Sequence, residues 1–120
     1  MTIQECYSNL GGDFEEVSKR LINEKMVTYF TLKFPTDKSM KLLLEAVEAG
    51  DIEGSFRNVH TLKGVAATLG YTELYKVAFE LTEQLRPRQK TADPELLDRV
   101  VKEYNRTIGI IKDFEAEIEA

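Results

Sequence analysis

Apolar residues in this chain return every three or four positions, segment after segment, and nowhere in strict alternation. That period matches a helix of about 3.6 residues per turn and fits no strand, so each segment must be an amphipathic helix hiding one stripe. Glycine and proline punctuate the segments at Gly11-Gly12, Phe34-Pro35, Gly50, Gly70 and Pro87. The spacing predicts a short helix over residues 2–10 through Ile3, Cys6, Tyr7 and Leu10. A long helix follows, with Asp13 as cap, Glu16 in capping-box position, and Phe14, Val17, Leu21, Ile22, Met26, Tyr29 and Phe30 inward until Phe34-Pro35 ends it. Thr36 is the expected cap of a helix with Met40, Leu43, Leu44 and Val47 inward, closed by Gly50. Asp51 caps the next helix and Gly70 terminates it. A short turn leads into a helix from Thr72 to Arg86 with Leu74, Val77, Ala78, Leu81 and Leu85 inward. Residues 88–92 read as loop. Asp93-Pro94 opens a last helix carrying Leu97, Val100, Val101, Tyr104, Ile108, Ile111, Phe114 and Ile118, weakened locally by Gly109.

Short links between such helices force neighbours to fold back on each other. The predicted fold is therefore all-α: an antiparallel up-and-down four-helix bundle with a short N-terminal extra helix as a lid, one domain over residues 1–120. A chain of 120 residues, 42% hydrophobic, can bury such a core. Sixteen basic against 21 acidic residues give a net charge of −5, and no run of Lys or Arg makes a nucleic-acid stripe. The N-terminus has neither the basic start nor the apolar centre of a secretory signal, and no stretch approaches the roughly 18 apolar residues of a membrane span. A soluble, cytoplasmic, monomeric chain is expected, with no nucleic-acid or membrane partner. Cys6 is the only cysteine, which rules out an internal disulfide and a Cys-rich metal site; it is expected to be a small buried hydrophobe of the lid. No glycine pattern of an ATP site is present.

The only histidine, His60, lies in the helix Asp51 begins. The buried stripe of that helix is Ile52, Phe56, Val59, Leu62, Ala66 and Leu69, and at about 100° per residue His60 falls at its border. Gly64 and Ala67 stack along the same row as His60, leaving almost no bulk beside the imidazole. A glycine costs a helix interior about 1 kcal/mol relative to alanine, so its presence one turn from the ring argues that something large approaches there. Close packing of a neighbouring helix is the alternative reading of Gly64. Arg57 and Lys63, at i−3 and i+3, flank the ring, so a nucleophile taking on an anion would lie between two cations. Arg57 could instead be a plain surface charge or pair with Glu53 at i−4.

The run His60-Thr61-Leu62-Lys63-Gly64, followed by Ala66-Ala67-Thr68-Leu69-Gly70 and by Leu74 and Ala78, resembles the histidine-containing phosphotransfer (HPt) domains of two-component phosphorelays, from about Gly12 to the final helix. The resemblance implies that His60 takes a phosphoryl group from a receiver-domain aspartate and passes it to another, with Lys63 stabilising the phosphoryl oxygens and Gly64 keeping space for the partner. A neutral imidazole, whose unperturbed pKa is about 6.5, is a competent nucleophile without a dedicated base. Arg57 joins the site on helix geometry alone. The implied partners are response-regulator receivers and a hybrid histidine kinase. The chain itself would need no cofactor or metal, because the receiver supplies the Mg²⁺. It would be a phosphocarrier, not an enzyme with ATP-dependent kinase activity. Several family members place a glutamine on the following helix near the phosphohistidine; the matching position here is Thr82, which leaves that auxiliary role open. Tyr75 and Phe79 are expected beside the docking surface, with Ile3, Tyr7 and Leu10 as further contributors. The competing reading is a helical adaptor that binds a receiver without carrying phosphate. Met1 followed directly by helical text suits a small independent protein or an N-terminal domain.

Overall fold

The computed structural model of the protein describes residues 1–119, which form seven α-helices and one 3-10 turn, with no strand among them. The helices are α1 (Ile3–Leu10), α2 (Phe14–Arg20), α3 (Glu24–Lys33), α4 (Ser39–Glu48), α5 (Ile52–Leu69), α6 (Thr72–Leu85) and α7 (Pro94–Glu119). α4, α5, α6 and α7 pack each on the next, while α1 and α3 lean on α7 and α3 also touches α5. The result is a helical bundle.

Local chemistry sets the helix starts. Thr2 and Glu5 form a reciprocal capping box at α1, and Asp13 and Asp51 accept the amides of Glu16 (3.1 Å) and Gly54 (2.8 Å) at α2 and α5. At α7, Asp93 accepts the amides of Glu95 and Leu96 just ahead of Pro94. At the end of α5, Gly70 adopts a left-handed φ of 68°, and a Cβ there would collide with the side chain of Val17. Only glycine can turn the chain at that point. Gly70 and Tyr71 are the whole link to α6, so the two helices fold back on one another.

Several sequence expectations about the N-terminal half fail. The single long helix after Asp13 is two helices, broken at Leu21-Ile22-Asn23. Asn23 makes its own cap by accepting the amide of Met26, and Ile22 takes a positive φ of 81°. A β-branched residue in that region costs on the order of 1–2 kcal/mol. The break turns α3 so that Val27, Thr31 and Phe34 face inward and leaves Ile22, Tyr29 and Phe30 exposed. Thr31 gains most: its hydroxyl accepts from Tyr71 (3.1 Å) and lies 3.4 Å from that of Tyr7. Nor is Thr36 a cap. It belongs to the 3-10 turn Phe34–Thr36 and donates to the Lys33 carbonyl, while Asp37 accepts the amide of Ser39 at the start of α4. On α4 the buried stripe is Met40, Leu43 and Ala46, and Leu44 is exposed.

The core runs through Leu43, Val59, Leu62, Ala66, Leu74, Ala78, Leu81, Leu85, Val100 and Ile111, all at most 1% exposed. Each large aliphatic side chain among them contributes roughly 1.5–3 kcal/mol by leaving water. α1 belongs to this core. Ile3, Cys6, Tyr7 and Leu10 are buried, so Ile3, Tyr7 and Leu10 are scaffold and not docking surface as the sequence suggested. Tyr7 donates to the Leu69 carbonyl (2.6 Å), satisfying an otherwise orphaned acceptor at the end of α5. Arg106 of α7 donates to the carbonyls of Asn9 and Leu10 (2.8 Å each), closing the end of α1. Burial pushes the Cys6 thiol up to about 11 and the Tyr7 hydroxyl up to about 12.

Candidate functional site

α5 is long, capped at both ends and buried along Phe56, Val59, Leu62, Ala66 and Leu69, so its outward strip is held rigidly. His60, Thr61, Gly64, Ala67 and Thr68 are all exposed on that strip. A Cβ placed on Gly64 would meet nothing within 4 Å. The glycine therefore does not mark close helix packing, and its missing side chain leaves open surface one turn from the imidazole. On one side of the strip a groove of about 430 Å³ is lined by Phe30, Thr61, Gly64, Val65, Thr68 and Leu69. On the other side stand Tyr75 and Phe79 of α6, their rings 6.0 Å apart; Tyr75 is half-buried and Phe79 exposed.

The charged neighbours of His60 along α5 are Arg57 and Lys63. Arg57 is exposed, and among the described residues its side chain makes no ion pair. The Glu53 carboxylate expected beside it is instead 3.0 Å from Nε of Arg88. Lys63 is half-buried, its ammonium 5.6 Å from the centre of the Phe79 ring, so α6 holds the lysine by a cation–π contact. Two further cations come from the end of α6 and the loop after it. Arg86 forks onto Glu83 (Nε–Oε2 and Nη2–Oε1 both 3.0 Å), which holds the Glu83 carboxyl below its ordinary range. The guanidinium carbons of Arg86 and Arg88 lie 5.4 and 3.6 Å from the centre of the Phe56 ring. Phe56 in turn lies beside the imidazole, ring centres 5.6 Å apart.

Sequence reasoning did not single out Phe56, Arg86, Arg88 or Phe30 for this site. Phe56 carried a usable signal, since it is four residues before His60 and so stacks beneath it on the helix. The two arginines meet α5 only through the tertiary fold, and Phe30 reached the groove through the break at Ile22. Thr82, in contrast, does not face the site. It is fully buried and its hydroxyl donates to the Ala78 carbonyl (2.7 Å), as threonines in helices often do, so it offers nothing to a group on His60.

Among the described residues no group of three or more His, Cys, Asp or Glu side chains could hold a metal ion, and no helix is long and apolar enough to cross a membrane. What the site offers is one exposed imidazole on a rigid helix, cations around it and a bare approach. An exposed imidazole of this kind can act as a nucleophile toward a small electrophilic group. The family model for the Hpt domain matches residues 35–119, most of the chain and all of α4 to α7. The chain belongs to the Hpt domain family, whose members are phosphocarriers of two-component signalling and interact with receiver and kinase domains. No curated protein and no solved structure matches the chain.

Proposed function

We propose that His60 carries the phosphoryl group in this Hpt domain and relays it between aspartates of receiver domains. The observation that carries the reading is the exposed imidazole of His60 with empty space over Gly64 one turn away. In the step, one ring nitrogen of the neutral imidazole attacks phosphorus of the aspartyl phosphate. The N–P bond forms, the acyl O–P bond breaks and the receiver's carboxylate leaves. The other ring nitrogen keeps its proton, so the product is a phosphorylated imidazolium, from which the ring departs readily as neutral imidazole when the N–P bond breaks in the return or onward transfer. Phosphoryl transfer asks little of the protein beyond position and charge. Arg57 and Lys63 supply positive charge on either side of the ring, and Gly64 leaves the way clear. The docking surface is the α5 strip between Phe30 and Phe79. The receiver brings the phosphorylated aspartate and the Mg²⁺. This chain binds no nucleotide and does not phosphorylate itself from ATP.

The test is to charge a panel of receiver domains with acetyl phosphate and mix each with this protein. A matched receiver should transfer an acid-labile, base-stable phosphate to it within seconds to minutes, and His60→Gln should take up none. Equal labelling of His60→Gln would sink the assignment.

A further inference from the structure

An exposed histidine that must meet a phosphorus atom in line has an orientation problem. Its partner normally sets the ring through a hydrogen bond to the second nitrogen. Among the described residues nothing donates to or accepts from the His60 imidazole. What the ring does have is Phe56, 5.6 Å away between centres and tilted by 31°, within the range of favourable aromatic pairs. Phe56 is itself held. The Arg88 guanidinium carbon stands 3.6 Å from its centre, at stacking distance, and the ring is only 8% exposed. Arg88 is pinned in two directions, Nε to Glu53 of α5 (3.0 Å) and Nη1 to the Arg86 carbonyl (2.8 Å). Its backbone takes a left-handed φ of 54°, which L-residues seldom adopt. A loop that needed only to turn there would be better served by glycine.

We infer that Phe56 and Arg88 are positioning residues for His60: the pinned guanidinium fixes the Phe56 ring, and the ring confines the imidazole to the orientation in which it meets the incoming phosphorus. This rests on His60 as the phosphoryl carrier. A free side chain spreads over a few staggered χ1 wells and a broad χ2, so releasing the ring lowers the population of the reactive orientation roughly three- to tenfold. The loss falls on the rate within the complex, because neither Phe56 nor Arg88 is on the strip that meets the partner. A lysine cannot replace Arg88, since only a planar guanidinium both stacks and forks.

His60 is the chain's only histidine, so its ring protons give unambiguous NMR signals. In the full chain, Phe56→Leu should shift these signals as the ring current disappears and should lower the maximal rate of transfer from an acetyl-phosphate-charged receiver roughly three- to tenfold. The half-saturating receiver concentration should stay as it is. Phe56→Tyr should restore both signal and rate. Arg88→Gln and Arg88→Lys, at an exposed position that leaves the core intact, should each slow transfer in the same manner. The inference is overturned if Phe56→Leu transfers at the wild-type rate, if the loss appears in half-saturation instead, if Phe56→Tyr is as slow as Phe56→Leu, or if both Arg88 variants behave as wild type. A wild-type chain that accepts phosphate from no receiver refutes the carrier reading instead. In that event the imidazole signals still decide whether Phe56 and Arg88 hold the ring.

Discussion

Replacing Gly64 with alanine should separate stability from function in opposite directions. A methyl group at that position meets no atom within 4 Å, so it brings no steric cost, and alanine in a helix interior is favoured over glycine by about 0.8–1.0 kcal/mol. The unfolding entropy of a chain this size is about 0.25 kcal/mol per kelvin, which converts that gain to a rise in Tm of roughly 3–4 °C. Gly109 is a built-in control. It also lies exposed within a helix, α7, and its added Cβ likewise meets nothing. Gly109→Ala should raise Tm by a similar amount, and the double variant by about the sum, since the sites are on different helices. Only Gly64 faces the strip around His60. A methyl group pushed into a close-fitting interface costs on the order of 1–3 kcal/mol, roughly five- to 150-fold in the half-saturating receiver concentration. Calorimetry and transfer kinetics on the three variants read both effects. The reasoning is refuted if Gly64→Ala lowers Tm, or if it transfers phosphate as readily as Gly109→Ala.

Two other consequences concern the buried hydroxyls. Tyr7→Phe deprives the buried Leu69 carbonyl of its 2.6 Å hydrogen bond and should cost about 1–2 kcal/mol in urea unfolding; an unchanged midpoint would show that the bond contributes nothing. Burial raises the hydroxyls of both Tyr7, to about 12, and Tyr71 above their ordinary value near 10. In the unfolded chain these groups lose their protons from about pH 10 while the native state still holds them. The Cys6 thiol, pushed up to about 11, adds a loss of the same kind from about pH 9, so stability should be intact below about pH 9 and fall between about pH 10 and 12 by a further ~1.4 kcal/mol per pH unit for each tyrosine. The urea midpoint followed from pH 9 to 12 tests this. A flat profile over that window, or one equally steep in Tyr7→Phe, contradicts it.

The helices from α5 onward were legible in the chain because period and punctuation agree there: Asp51 and Gly70 for α5, Asp93-Pro94 for α7. The largest failure lies in the N-terminal half. Ile22 and Phe30 look like inward residues of a continuous helix because their apolar spacing runs on through Asn23, whose capping role shows only once α3 has turned and its Thr31 hydroxyl accepts from Tyr71 in the link between α5 and α6. The site was legible in the same uneven way. His60, Lys63 and Gly64 share one turn of helix and so announce themselves together. Arg86 and Arg88 reach Phe56 only after α6 has folded back along α5, and no spacing rule within one helix could join them.

The bonds from Arg106 to the carbonyls of Asn9 and Leu10, with Tyr7 to Leu69, mean that the boundary of the family match at residue 35 is not a safe place to cut. A fragment starting there would lose α1 to α3 and bare Leu69 and Tyr71, apolar surface that water-exposed chains tend to hide by sticking to one another. Anyone trimming this protein to a minimal carrier should expect precipitation rather than a smaller working unit.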